Sequence, residues 1–174
     1  MRLTPIMQRY IVHWGEMGSR WGLNRSVAQM HALLYLSPQP LHADEIAETL
    51  GIARSNVSVG LKELIGWSLV QATQTLGDRR DFFVAQRDPW EVVRVIIEGR
   101  KRRELDPTVS FLKECAAELE SDDETPTYVK QQIKGQLEFM ATLLGWYESI
   151  NTLPRKTLLK MMRRGQRIAK VIGD

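Results

Sequence analysis

Leu3, Met7, Tyr10, Trp14, Met17 and Trp21 recur at alternating four- and three-residue steps, a spacing that places them on one stripe of a helix and predicts a buried seam. Gly15, Gly18 and Gly22 lower the helicity of this segment and are expected to bend or end it near Trp21. The segment's place ahead of the next module predicts packing against C-terminal helices or a second subunit. Asn24 is a cap for a second helix running to about Leu36, where Ser37-Pro38-Gln39-Pro40 stops it. Beyond Leu41, Ile46, Ala47 and Leu50 fall at helical spacing behind the early acids Asp44 and Glu45. Gly51 suits a tight turn, because only glycine takes positive φ there at low cost. The next apolar stripe, Val57, Leu61, Leu64 and Ile65, leaves Arg54, Ser55, Asn56, Ser58, Val59 and Lys62 pointing elsewhere. Residues 67–74 and 81–86 then carry strand patterns joined by Gly77-Asp78-Arg79-Arg80.

The second half of the chain reads as helices throughout. Asp88 and Pro89 supply a cap and a helix-starting proline, and Asp106-Pro107 is expected to restart or kink that helix, since a residue before proline avoids the helical region. After an acidic stretch at 118–124, Thr125-Pro126 opens a helix with a seam at Val129, Ile133, Leu137, Met140, Leu144 and Tyr147. Leu153-Pro154 precedes a last one, with Leu158, Met161, Ile168 and Ile172 inward. Its cations Arg155, Lys156, Lys160, Arg163, Arg164, Arg167 and Lys170 face mostly outward. No internal repeat or low-complexity tract interrupts this order. The order predicts a mainly α fold with a small β-hairpin wing, a winged helix-turn-helix flanked by N- and C-terminal dimerisation helices. The boundaries expected are 1–23 for the N-terminal helix, 24–88 for the winged module and 89–174 for the C-terminal helical region.

Size and charge narrow the function. A chain of 174 residues holds one domain plus an oligomerisation element and is too short for two full enzyme domains. Its net charge is only +3, so binding to a polyanion requires cations gathered on one surface. Arg100, Lys101, Arg102 and Arg103 form one such run, and the last helix forms another. The lone Cys115 excludes an internal disulfide, which suits a reducing cytoplasm. No apolar run approaches the roughly 20 residues that cross a bilayer, and the N-terminus lacks a signal-peptide pattern, so a soluble cytoplasmic protein without membrane partners is expected. Enzymatic and metal chemistry fail on inventory. His13, His31 and His42 fall on different elements without zinc spacing, and no phosphate loop or nucleophile motif occurs. No cofactor is expected. His31 shares a stripe with Val27 and Leu34, as a packed core or interface histidine does.

The outer set of residues 54–62 fits a different task. A major groove about 12 Å wide accepts one helix bearing short polar side chains. Arg54 and Lys62 suit phosphate or guanine edges, Asn56 suits adenine, and Ser55 and Ser58 suit either phosphate or base. Gly60 would let the backbone approach closely. A merely solvated helix face has the same composition, and the turn beyond it weighs between the two. Asp78 and Arg80 stand two apart, where the carboxylate holds one arginine rigid while Arg79 projects toward a cation-attracting minor groove. A solvated turn is the alternative for this pair.

The stretch Leu41-His-Ala-Asp-Glu-Ile-Ala-Glu-Thr-Leu-Gly-Ile-Ala-Arg-Ser-Asn-Val-Ser, the turn Gly77-Asp-Arg-Arg-Asp, the segment Asp88-Pro-Trp-Glu and Leu33-Leu-Tyr-Leu-Ser-Pro resemble the MarR-type winged-helix transcription regulators, in their GbsR-like branch. The resemblance covers roughly residues 14 to 104. It implies a homodimer that binds double-stranded DNA, with interlocking terminal helices and two winged modules reaching successive major grooves. Ala53 departs from it by lacking a capping oxygen where such helices often begin with Ser or Thr, and His42 replaces a better cap before residues 43–50. The branch's link to osmoprotectants makes Trp14, Trp21 and Trp90 candidate walls of an effector pocket, since an aromatic cage suits a quaternary ammonium such as choline or betaine. Buried or interfacial tryptophans are the plainer alternative. The sequence thus predicts a repressor on a pseudo-palindromic operator, open to a small-molecule effector. A winged-helix protein-interaction module and a small-molecule binding protein without DNA function are the competing classes.

Overall fold

The computed structural model describes residues 1–74 and 76–172, with side chains through Gly165. Helices α1 (Pro5–Arg20) and α2 (Arg25–Leu36) lead into a short strand β1 (Leu41–His42), then α3 (Ala43–Leu50) and α4 (Arg54–Gly66). Strands β2 (Val70–Gln74) and β3 (Asp81–Ala85) follow, then α5 (Pro89–Arg100), a π turn at Lys101–Leu105, α6 (Asp106–Glu118), α7 (Thr127–Asn151) and α8 (Arg155–Ile172). The chain divides into two compact units, residues 1–101 and 102–174. Ile168, Ile172, Arg167 and Lys170, assigned above to the faces of the last helix, lie outside the described side chains.

In the first unit, Thr4 caps α1 by accepting from the Met7 amide at 3.3 Å, and Pro5 opens the helix. The seam differs from the predicted stripe: Ile11, Gly15 and Gly18 are buried, while Trp14 and Trp21 are exposed. Glycine explains the offset. A Cβ at Gly15 would stand 2.7 Å from Gln29 Cγ, and one at Gly18 would overlap the Ala28 Cβ. These two residues therefore draw α1 onto α2 instead of bending it, and the predicted partner of α1 is corrected to α2 on this face. Only Gly22, at φ +79°, ends the helix.

Met30, Leu33 and Leu34 of α2 meet Ile46 of α3 and Val57, Leu61 and Leu64 of α4 in the core, closed by Leu69, Val70 and Ala85. Ile65, expected in that stripe, is exposed. The sheet has three antiparallel strands in the order β1-β3-β2, with Leu41 opposite Phe83 and Val70 opposite Ala85. The third strand was missing from the predicted hairpin because two residues show no periodicity. Asp88 caps α5 by accepting from the Trp90 amide at 3.0 Å.

After the π turn at Lys101–Leu105 a new helix, α6, starts at Asp106 with Pro107 in its first turn, the restart expected of Asp106-Pro107. In the second unit α6 and α7 pack together, with Val109 and Leu112 of α6 and Leu144 of α7 buried. Glu120 pairs with Lys134 at 2.6 Å, and Asp122 accepts from the Glu124 and Thr125 amides at 2.8 and 3.1 Å, fixing the acidic loop. Of the predicted α7 seam, Leu144 is buried, Ile133, Leu137, Met140 and Tyr147 are half-buried, and Val129 is exposed. Phe111, Tyr128, Phe139 and Trp146 are open as well, and Met161 of α8 is exposed where an inward position was predicted. Among the described residues no helix is long and apolar enough to cross a membrane.

Candidate nucleic-acid interface

Helix α3 anchors the site. His42 is its cap after all: Glu45 Oε2 accepts from the His42 amide at 2.9 Å, and the His42 ring faces the Glu45 amide, with Nδ1 at 3.4 Å. This reciprocal pair is a capping box built with a histidine. Gly51, at φ 63° and ψ 37°, makes the left-handed turn that sends the chain into α4. Ala53 offers α4 no side-chain cap.

On α4, Arg54, Ser55, Asn56, Val59 and Lys62 are exposed together, and Ser58 is half-buried beside them. Arg54 is tied down in the free protein. Its Nε donates to Asp44 Oδ1 at 2.7 Å and its Nη1 to Ser58 Oγ at 2.5 Å, so α3 and α4 jointly aim the guanidinium. Gly60 belongs to the other face. It is buried against Met30 and Val27 of α2, which corrects the expectation that it offers its backbone to a ligand.

The turn between β2 and β3 is built around Asp78. Its Oδ1 accepts from Arg80 N and Nε, both at 3.0 Å, and its Oδ2 accepts from Arg80 Nη2 at 2.5 Å. Hydrogen bonds from the Arg80 side chain and backbone hold the Asp78 carboxyl down at a pKa of about 2. The Arg80 guanidinium also lies 5.6 Å from the Phe82 ring and places Nη1 2.9 Å from His42 Nε2. Arg79, its neighbour, is exposed and makes no hydrogen bond or ion pair among the described residues. One arginine is held and the other is open. His42 is the residue that the sequence missed here, visible beforehand only as an unusual cap.

The tryptophans resolve differently from expectation. A cavity of about 210 Å³ in the first unit is lined by Trp14, Trp21 and Trp67, with Tyr10, Tyr35 and His31. Trp90 is not among its walls. The α5 residues that line it, Pro89, Val92, Val93, Ile96 and Arg100, recur at helical spacing, and position 90 falls off that stripe. Trp67 takes the place instead, its ring lying where a Cβ at Gly99 would be 2.8 Å away. His31 Nε2 is buried without a hydrogen-bond partner, and burial pushes the imidazole pKa down to about 4. Arg100 donates to the Trp21 carbonyl at 2.5 Å on the same cavity's edge. Among the described residues no group of three or more His, Cys, Asp or Glu is placed to hold a metal ion.

Residues 21–81, the span from Trp21 through the tip of the β2–β3 turn, match the model of the MarR family. The HTH-type transcriptional repressor GbsR of Bacillus subtilis (strain 168) is 26% identical over 136 residues, which cover 75% of each chain. A crystal structure of a transcriptional regulator shares the fold with a TM-score of 0.62 and 18% identity, over 83% of this chain and 99% of that one. The family and these relatives are transcriptional regulators, not enzymes.

Proposed function

We propose that this protein, whose residues 21–81 match the model of the MarR family, binds a pseudo-palindromic operator in double-stranded DNA as a homodimer and represses by occlusion. The observation that carries the reading is the β2–β3 tip, where Asp78 grips Arg80 while Arg79 stays open, next to the exposed polar face of α4. A held guanidinium meets a minor groove without losing further side-chain freedom. In the major groove, Asn56 and Ser55 read base edges, Lys62 and Arg54 hold phosphate, and Val59 offers an apolar contact to a thymine methyl. Ser58 orients Arg54. Such a protein acts in the cytoplasm, where the DNA is.

The dimer rests on apolar surface that each unit leaves open: Ile6 and Val12 on α1, and Phe139, Leu143 and Trp146 on α7. Stripes of this kind on a monomer mark an interface. Two-fold symmetry then sets the half-sites about 10 base pairs apart, one helical turn.

The cavity beside Trp14, Trp21 and Trp67 supports an effector. Its walls are almost wholly apolar, Arg100 brings a cation, and no carboxylate lines it. That chemistry favours a small, neutral, largely apolar molecule over a quaternary ammonium, with His31 as its polar partner. Such a ligand acts by preferring one spacing of the paired α4 helices.

The test is salt dependence. Wild-type binding to a selected duplex weakens steeply with salt, and replacing both Arg79 and Arg80 by alanine weakens binding and lowers the slope by about two. Unchanged affinity and slope in that variant would return the module to a protein-interaction role. Ligand-induced stabilisation without protection of any duplex would leave a small-molecule binding protein.

A further inference from the structure

His42 sits where the scaffold helix meets the wing. It caps α3, pairs with Phe82 across the sheet, and sets its ring edge-on to Phe82 at 5.8 Å and 81°. Its side chain is only 15% exposed. Two hydrogen-bond donors face its two ring nitrogens, the Glu45 amide at Nδ1 and the Arg80 guanidinium at Nε2, and Glu45 Oε2 stands farther from Nε2 than Arg80 does, at 3.4 Å.

A neutral imidazole has one lone pair and one N–H, so it accepts from only one of them. The contact to Arg80 is 2.9 Å and that to the Glu45 amide is 3.4 Å, at the weak end of the range. The lone pair therefore belongs on Nε2, toward Arg80. The proton then sits on Nδ1, on the side of Asp44 Oδ2 at 3.8 Å. The α3 end keeps its stronger cap bond, from the His42 amide to Glu45 Oε2.

We infer that His42 is a positioning residue for DNA binding, whose neutral imidazole accepts from Arg80 and, together with Asp78 and Phe82, fixes the direction in which the wing presents that guanidinium. This rests on the DNA-binding role proposed above.

Two substitutions separate the cap from the strut. His42→Ser keeps a good cap, yet its hydroxyl is too short to reach Arg80. His42→Gln restores an acceptor toward Arg80 and is a poorer cap. The full chain is titrated by fluorescence anisotropy on a duplex that the wild type selects from a random-sequence pool, and each variant is also melted. At pH 7.5 His42→Ser is expected to bind about three- to tenfold more weakly with no loss of melting temperature, and His42→Gln to bind within about twofold of wild type while melting lower. In the Arg80→Ala background, His42→Ser is expected to cost nothing further. Full affinity in His42→Ser, or a loss that adds in full to that of Arg80→Ala, would overturn the positioning role and leave the DNA reading intact. A wild type that selects no duplex, or an Arg80→Ala variant that binds like it, would overturn both.

Discussion

Gly60 lies against Met30: a Cβ at position 60 would overlap the Met30 Cε and stand 3.2 Å from its Sδ and 3.3 Å from Val27 Cγ2. The polar helix α4 thus rests on α2 by its backbone at this point, and its distance from α2 is set by the missing side chain. Gly60→Ala gains helix propensity of about 1 kcal/mol but overpacks a site whose neighbours, Met30 and Val27, are buried. The overlap wins, and urea denaturation is expected to show a net loss of up to about 2 kcal/mol. A gain in stability would mean that the flexible Met30 side chain moves aside freely.

Asp78→Asn tests the wing without touching the core. Asp78 is half-buried on the turn but its partner Arg80 is open to solvent, which screens the pair, so thermal unfolding at neutral pH is expected to change little. Losing the grip frees the Arg80 side chain, and ordering one such side chain on binding costs about two- to tenfold in affinity. Removing a negative charge near phosphate works the other way, but for all duplexes alike. The readout is therefore the ratio of affinities for a selected and a scrambled duplex, which should fall by about two- to tenfold. Because the folded pKa of Asp78 lies near 2, below its unfolded value of 3.8, the contribution of this pair is complete above pH 4 and lost only as pH falls toward 2. Any change in binding between pH 5 and 8 has another source.

What the sequence disclosed follows from how local each signal is. The Asn24 and Asp88 caps, the Gly51 turn and the Asp78–Arg80 pair are complete within a few residues, so type and spacing suffice to find them. Glycines deceived it. Gly15, Gly18 and Gly60 carry no side chain to mark a face, so they read as helix breakers or ligand-side gaps, whereas in the fold each lies tight against α2. Trp67 read only as the start of a strand and Trp90 as a pocket wall, because the phase of α5 against the cavity is not local. The His42–Arg80 contact joins positions 38 apart, across a strand of two residues, and no periodicity announces it.

The open apolar faces predict a dimer. Phe139 and Trp146 of α7 are 65% and 63% exposed, seven positions apart and so on the same helical stripe. Sedimentation at micromolar concentration should show two copies of the chain, and replacing both residues by glutamate should shift the balance to monomer by tenfold or more in dissociation constant. DNA affinity should fall with it, because two modules on one duplex act at high effective concentration. A wild-type monomer at that concentration would sink the interface.

His31 predicts an acid sensitivity of the fold itself. Its imidazole is held neutral, with a folded pKa of about 4 against 6.5 in the unfolded chain. Between those values the unfolded state binds a proton that the folded state refuses, so stability falls as pH drops through that window. The full difference is on the order of 3 kcal/mol by linkage, reached near pH 4 and absent above about pH 7. Urea midpoints at pH 7.5, 5.5 and 4.5 should trace the decline, and His31→Leu, which cannot titrate, should flatten that part of it. A neutral effector in the adjoining cavity that donates a hydrogen bond to Nε2 needs the neutral ring, so it should pull the pKa lower still and bind more weakly at pH 4 than at pH 7. Equal acid sensitivity in His31→Leu would place the loss in the carboxylates instead.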